Sequence, residues 1–331
     1  MTACAVVGAG AWGTALADLL ARKGHTVHLW AREPDVAESI SELHENVRFF
    51  AGVAISPAVR ATTDLGDAVA NAELVVYAVP SEHLRAVAER SAQNVTPHAT
   101  LAVATKGIEP GTGALMTTAV AEAVPGRGVV ALSGPSFAAE VAAGQPTAVV
   151  AASTDLAAAT RVQRSLACAS FRVYTHGDVV GVGLAGALKN VIAIATGVSD
   201  GLGLGANSRA ALITRGLAEM TRLGVARGAS PATFAGLAGL GDLVLTCTGA
   251  LSRNRALGEA IGRGATPAEA QAGRETVAEG VITARSASVL AREADVEMPI
   301  VRAVNRVLFE GRPARQAIVD LMERELRSEP D

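Results

Sequence analysis

Of the 29 basic residues in this chain only three are lysines, Lys23, Lys106 and Lys189, and Lys189 stands in the middle of an apolar run. From Val179 to Val198 every residue is apolar or glycine except Lys189, Asn190 and Thr196. An ammonium group there must be desolvated, snorkel out, or face a polar cleft, because burying it unpaired costs several kcal/mol or shifts its pKa. Arginine is effectively always protonated, whereas a desolvated lysine gives up and regains a proton near neutral pH. A chain that prefers arginine yet keeps a lysine here is expected to do proton chemistry with it. The run is long enough to cross a bilayer, but Lys189, Asn190 and the glycines inside it argue against a span.

Other residues with chemical potential lie at turns. Lys106 follows the buried-strand run Leu101 to Thr105, and the turn Ser133-Gly134-Pro135-Ser136-Phe137 follows Val129 to Leu132. Asp242 lies in the glycine-rich stretch from Gly236 to Thr248, expected to be a flexible apolar connector. Asn190 and Asp242 are the candidates to orient Lys189. Ser252-Arg253-Asn254-Arg255 opens a helix, where free backbone N–H groups, a helix dipole and guanidinium forks suit a phosphate.

These residues need a frame, and the first half supplies one. Ala3 to Val7 reads as a buried strand entering Gly8-Ala9-Gly10-Ala11-Trp12-Gly13, and a helical pattern follows through Leu16, Leu19 and Leu20. Strand, GxGxxG and helix in that order form a dinucleotide-binding fingerprint: Gly8 for the tight turn, Gly10 for close approach to a pyrophosphate, Gly13 for helix–strand packing. The next strand ends near Arg32-Glu33; an arginine there accommodates a 2′-phosphate, so NADP is expected to be accepted and NAD is not excluded. Further strands are expected at 73–79, 101–105, 129–132, 147–151 and 171–175, with Ser81 capping the helix after the first of these. Ligands of such open sheets gather outside the carboxyl ends of the strands, where Lys106 and the Ser133–Phe137 turn fall.

After Thr175 the pattern turns helical, with helices expected near 179–198, 207–223, 252–263, 276–294, 300–310 and 313–326. The expected class is therefore α/β: an N-terminal Rossmann-type doubly wound sheet, residues 1–177, followed by an all-α C-terminal domain, residues 178–331. A net charge of −3 without a basic block argues against nucleic acid as partner. The three cysteines, Cys4, Cys168 and Cys247, are far apart and odd in number, which suggests reduced cytoplasmic thiols; neither a disulfide framework nor a metal site is expected. The glycine motif begins at Gly8, so no signal peptide is expected ahead of it.

Long blocks of the chain carry a more specific signal: GAGAWGTALA, ATKGIE, LSGPSFAAEVA, GALKNVIAIATGVSDGLGLGANSRAALITRGLAEM, GLAGLGDLVLTCTGALSRNRALG and VAEGVITA. In these the sequence resembles the bacterial NAD(P)-dependent glycerol-3-phosphate dehydrogenases, from about residue 6 to about residue 284; the remainder matches only in helical character. The resemblance implies reduction of dihydroxyacetone phosphate to sn-glycerol 3-phosphate for phospholipid synthesis, by a protein that is usually a homodimer. It implies Lys189 as acid/base and Lys106 as a substrate contact near the nicotinamide; Lys106 and Asp242 are expected to take part in catalysis with Lys189. Lys106, Gly134, Ser136, Asp242, Ser252, Arg253 and Asn254 would bind substrate. Gly8, Gly10, Ala11, Trp12, Gly13, Arg32, Lys106, Ala138, Arg253, Val277 and Glu279 would contact the cofactor.

The chain departs from that family at three places: Ala11 stands where serine is common, Gly183 where an acid often precedes the lysine, and the block around Phe49-Phe50 diverges. Two other functions fit parts of the pattern. A β-hydroxyacid dehydrogenase acting on a non-phosphorylated acid would tolerate loss of Arg253. A nicotinamide-sensing regulatory protein would need neither Lys106 nor Lys189.

Overall fold

The structure, a computed structural model, describes residues 2–273, 278–325 and 328. Ten strands precede residue 177: β1 (Ala3–Val7), β2 (Thr26–Trp30), β3 (Glu45–Asn46), β4 (Phe50–Ala54), β5 (Val59–Thr62), β6 (Leu74–Tyr77), β7 (Thr100–Val103), β8 (Gly128–Ser133), β9 (Thr147–Ala152) and β10 (Phe171–His176). Eight of them form one sheet in the order β10-β9-β8-β7-β6-β1-β2-β5, while β3 and β4 pair separately. All neighbours in the large sheet are parallel except β8 and β9. The continuous apolar runs explain this arrangement, since strands such as β6 and β7, buried at every position, need helices on both faces. Leu16 and Leu20 of the helix Ala11–Arg22 cover one face, and Leu84, Val87 and Val120 cover the other.

Sheet order matters for function because the chain leaves β1 towards β2 and β5, then returns to β6 on the other side of β1. That reversal opens a crevice at the carboxyl ends of β1 and β6, where ligands of such sheets bind. Val7 is in register with both Trp30 and Tyr77, so the loop at Gly8 emerges at the crevice.

The expected Rossmann-type sheet followed by helices is what the chain forms. After β10 the described residues contain no further strand. The first helix, Val179–Gly201, runs three residues past the expected Val198. Asp178 caps its start, accepting from the Gly181 N–H at 2.7 Å. The helix is the axis of the second hydrophobic core, which contains Leu184, Leu188, Val191, Ile192 and Ile194. Its apolar length is used to be surrounded by other helices. The helix Arg253–Gly262 lies against it backbone to backbone: a Cβ on Gly197 would come within 2.0 Å of the Arg255 carbonyl oxygen, and one on Gly258 within 2.1 Å of that of Ile194. Only glycine permits this approach, which brings the Ser252–Asn254 helix start beside the lysine-bearing helix.

Several local expectations needed correction. Ser81 caps no helix; a short 3-10 turn, Ser81–His83, precedes the helix Leu84–Ser91, and the Ser81 hydroxyl bonds elsewhere. The Gly236–Thr248 stretch is not a loose connector but a π-helical turn, Leu237–Gly241, continuing into the helix Asp242–Thr248. The expected helix 276–294 is described from Glu279 to Glu293, and Val277 lies outside the described residues.

Candidate active site

The centre of the site is one carboxylate shared by two ammonium groups. Asp242, 1 % exposed, accepts from Lys189 Nζ through Oδ1 at 2.6 Å and from Lys106 Nζ through Oδ2 at 2.6 Å. Lys189 also donates to Thr246 Oγ1 at 2.8 Å, and Lys106 to the Gly134 carbonyl at 3.1 Å. Each ammonium has three donors, and two are used in each case among the described residues. One N–H per lysine is therefore left for a ligand, and the cluster carries a net positive charge suited to an oxyanion.

Three parts of the chain meet there. Lys106 follows β7, Lys189 is near the middle of the helix Val179–Gly201, and Asp242 opens the helix after the π-turn. Gly186, one turn before Lys189, keeps the gap open: a Cβ there would lie 2.7 Å from Ser133 Oγ and 3.6 Å from Lys106 Cγ. Gly134 has φ +140, and a Cβ would meet Val149 Cα at 2.9 Å. No larger residue could aim that carbonyl at Lys106. Ser136 Oγ donates to the same carbonyl at 2.9 Å, which places the expected Gly134 and Ser136 at the rim of the cluster.

Burial lowers the Lys189 pKa to about 8; Asp242 works against that shift and the nearby charge of Lys106 adds to it. Burial alone would raise the Asp242 carboxyl, but the two lysines outweigh it and hold the group below the usual carboxylate range. Lys189 is thus poised to exchange a proton near neutral pH while Asp242 stays ionised.

The expected phosphate residues flank this cluster. Ser252 caps the helix Arg253–Gly262, accepting from the Arg255 N–H at 3.2 Å. Asn254 is buried and joins two helices: its Nδ2 donates to Asn190 Oδ1 at 3.1 Å and its Oδ1 accepts from the Gly280 N–H at 2.9 Å. Asn190, a candidate to orient Lys189, is therefore turned towards Asn254 instead. The Arg253 side chain is exposed at the mouth of the site; partial desolvation lowers its pKa and the charge of Glu279 opposes the shift.

The glycine loop has the shape a dinucleotide needs. Gly8 has φ +115, and a Cβ there would lie 2.8 Å from the Ala78 carbonyl oxygen. On Gly13 a Cβ would lie 1.9 Å from the Gly8 carbonyl oxygen, whereas on Gly10 it would meet nothing within 4 Å. Gly10 therefore borders open space, at the start of a helix with no acidic residue in its first turn. Trp12 Nε1 is buried and has no partner among the described residues, a donor available to an acceptor such as a phosphate oxygen. These features fit a bound NAD or NADP. Ala11 and Ala138 begin the two neighbouring helices, Ala11–Arg22 and Ala138–Ala142. Arg32 is exposed beyond β2 and pairs with Glu33 at 2.6 Å.

Thr246, Ser81 and Asn46 were missed in the sequence. Thr246 is legible in hindsight, because it follows Asp242 by four residues and so shares its helix face. Asn46 donates to the Ala9 carbonyl at 2.7 Å and Thr14 Oγ1 at 2.9 Å, supporting the glycine loop from the divergent segment before Phe49. No short-range pattern marks that contact.

Comparison with known proteins points the same way. Residues 3–159 match the family model described as NAD-dependent glycerol-3-phosphate dehydrogenase N-terminus, and residues 178–319 match the corresponding C-terminus. The chain is 53% identical over 327 residues to a glycerol-3-phosphate dehydrogenase of the NAD(P)+ type from Geobacter sulfurreducens, covering 98% of each protein. It is 54% identical over 330 residues to the one from Geobacter metallireducens, again covering 98% of each. Among solved structures, the glycerol-3-phosphate dehydrogenase of Coxiella burnetii superposes with a TM-score of 0.94 at 41% identity, covering 98% of this chain and 99% of that one.

Proposed function

From its place in the NAD-dependent glycerol-3-phosphate dehydrogenase family, to which this chain belongs, we propose the following account of its reaction. The enzyme reduces dihydroxyacetone phosphate to sn-glycerol 3-phosphate with NADH or NADPH, reversibly, and so supplies the backbone of glycerophospholipids. The observation that carries the account is the Lys106–Asp242–Lys189 cluster at the strand ends, with one uncommitted N–H on each lysine.

The nicotinamide, when bound, supplies the hydride. The chain does the rest. Lys189 Nζ holds the proton that the developing alkoxide takes up, and Lys106 places a second positive charge beside the oxygen. Asp242 and Thr246 fix the Lys189 ammonium so that its remaining N–H faces the cleft. Ser252, Arg253 and Asn254, with Gly134 and Ser136, form the substrate pocket, in which the phosphate anchors the molecule and positions its carbonyl. Gly8, Gly10, Ala11, Trp12 and Gly13 would receive the pyrophosphate, Arg32 would accommodate a ribose 2′-phosphate, and Ala138, Arg253, Val277 and Glu279 would complete the cofactor contacts with Lys106.

The chain divides into two domains at Gly177–Asp178, between the end of β10 and the capped lysine helix, and works in the cytoplasm as a homodimer. Its three cysteines are odd in number and far apart in the sequence, which supports a reducing compartment. The reaction is tested by following NADH and NADPH oxidation by the purified protein. Dihydroxyacetone phosphate should support it, and dihydroxyacetone, lacking the phosphate, should not. Equal rates with both ketones would reject the phosphate pocket, and no oxidation with either would reject the reductase assignment.

A further inference from the structure

Away from the lysine pair, the two lobes are joined at Ser81. This residue follows β6 and Pro80 at the carboxyl edge of the sheet. Its backbone N–H donates to Glu279 Oε1 at 3.1 Å and its hydroxyl donates to Glu279 Oε2. Glu279 is the first residue of the helix Glu279–Glu293, so a single half-buried carboxylate takes two bonds across the cleft. Burial pushes the Glu279 carboxyl up, while the Ser81 bonds and the charge of Arg253 pull it down. The contact continues into the site. Gly280 donates to Asn254, and Asn254 donates to Asn190, the neighbour of Lys189. Space is closed on the other side: a Cβ on Gly107 would lie 2.7 Å from Ser81 Cβ and 3.7 Å from Glu279 Oε2. The residue after Lys106 must be small for Ser81 to sit where it does.

We propose that Ser81 is a positioning residue for the dinucleotide. It holds Glu279, and with it the start of the Glu279–Glu293 helix beside Arg253, at a fixed distance from the glycine loop. Ser81 binds the carboxylate directly, and the charge of Arg253 acts on it through space. Removing the serine hydroxyl leaves that carboxylate more fully to the guanidinium, which then pulls less on an anionic ligand, and it lets the two walls of the cleft separate. The loss falls on binding, because no group that touches the reacting atoms is altered.

The inference rests on the dehydrogenase reading, so its test is a direct one: NADPH affinity measured by nucleotide fluorescence, without substrate. In Ser81→Ala the Kd should rise about tenfold, the effect of losing a hydrogen bond to a charged group, while kcat stays within about threefold of wild type. Combined with Glu279→Gln, Ser81→Ala should add less than about a twofold further loss, because the partner is already altered. Ser81→Cys, a weaker donor of similar size, should fall between serine and alanine and carries the same expectation should the alanine variant not fold. An unchanged Kd in the serine variants, or single effects that multiply in the double variant, would overturn the proposal. A wild-type protein binding neither NADPH nor NADH would instead reject the dehydrogenase reading beneath it.

Discussion

Two carboxylates in the helical lobe are almost equally buried, Asp242 at 1 % exposure and Glu219 at 2 %, yet they are held in opposite ways. Asp242 meets two ammonium groups and lies below its ordinary pKa range. Glu219 meets the backbone N–H groups of Ile300 and Val301, at 2.7 and 3.2 Å, and burial pushes it up to about 7. The first arrangement leaves spare donors and a net positive charge beside a cleft. The second satisfies the orphan N–H groups at the start of the helix Pro299–Phe309 and leaves nothing over. Burial of a charge therefore does not mark chemistry; uncommitted donors facing a crevice do.

Breaking the first region should cost turnover rather than structure. Lys189→Ala is expected to lower kcat by roughly 10²–10⁴ with NADPH affinity retained, and Lys189→Arg should be nearly as damaging because arginine cannot release its proton. Steady-state kinetics beside nucleotide titration separate the two quantities. Asp242→Asn should follow, with a loss of about 10–10² in kcat. Removing the charge that holds the Lys189 pKa up should also move the pH limb of the rate to lower pH.

Breaking the second region should do the reverse. Glu219→Ala leaves two buried N–H donors without a partner, which predicts about 2 kcal/mol of lost stability by denaturant unfolding and near-wild-type kcat in the folded fraction. The smallest effect is a pH trend. Since the folded pKa of Glu219 lies above its unfolded value, the native state takes up a proton first as pH falls. Its contribution to stability then rises as pH drops from about 7 towards the ordinary glutamate range. Glu219→Gln should lack that trend in unfolding midpoints measured across the window.

How much of this was legible in the sequence follows from the range of each interaction. The glycine fingerprint, the buried strands and the Lys189 helix are local patterns, and all appear in the fold. Lys106 and Lys189 stood out because lysine is scarce here. Their shared partner was legible only as a candidate, since the link from Asp242 to Lys189 spans 53 positions. Ser81 was read as a helix cap because serine after a strand usually serves that way; its actual partner is 198 residues distant. The connector around Asp242 looked loose because glycines suggest freedom. In the fold Gly239 is instead closely packed, with a Cβ there falling 2.1 Å from the Phe234 carbonyl oxygen.

A pH profile of single-turnover dihydroxyacetone phosphate reduction most directly asks whether the buried ammonium at position 189 gives the proton. The wild-type rate should be flat in the acid range and fall tenfold per pH unit above about 8, as the ammonium is lost, while Lys189→Ala should be slow and without that limb. A wild-type rate that holds level to pH 10, or an alanine variant that keeps the same limb, would contradict it.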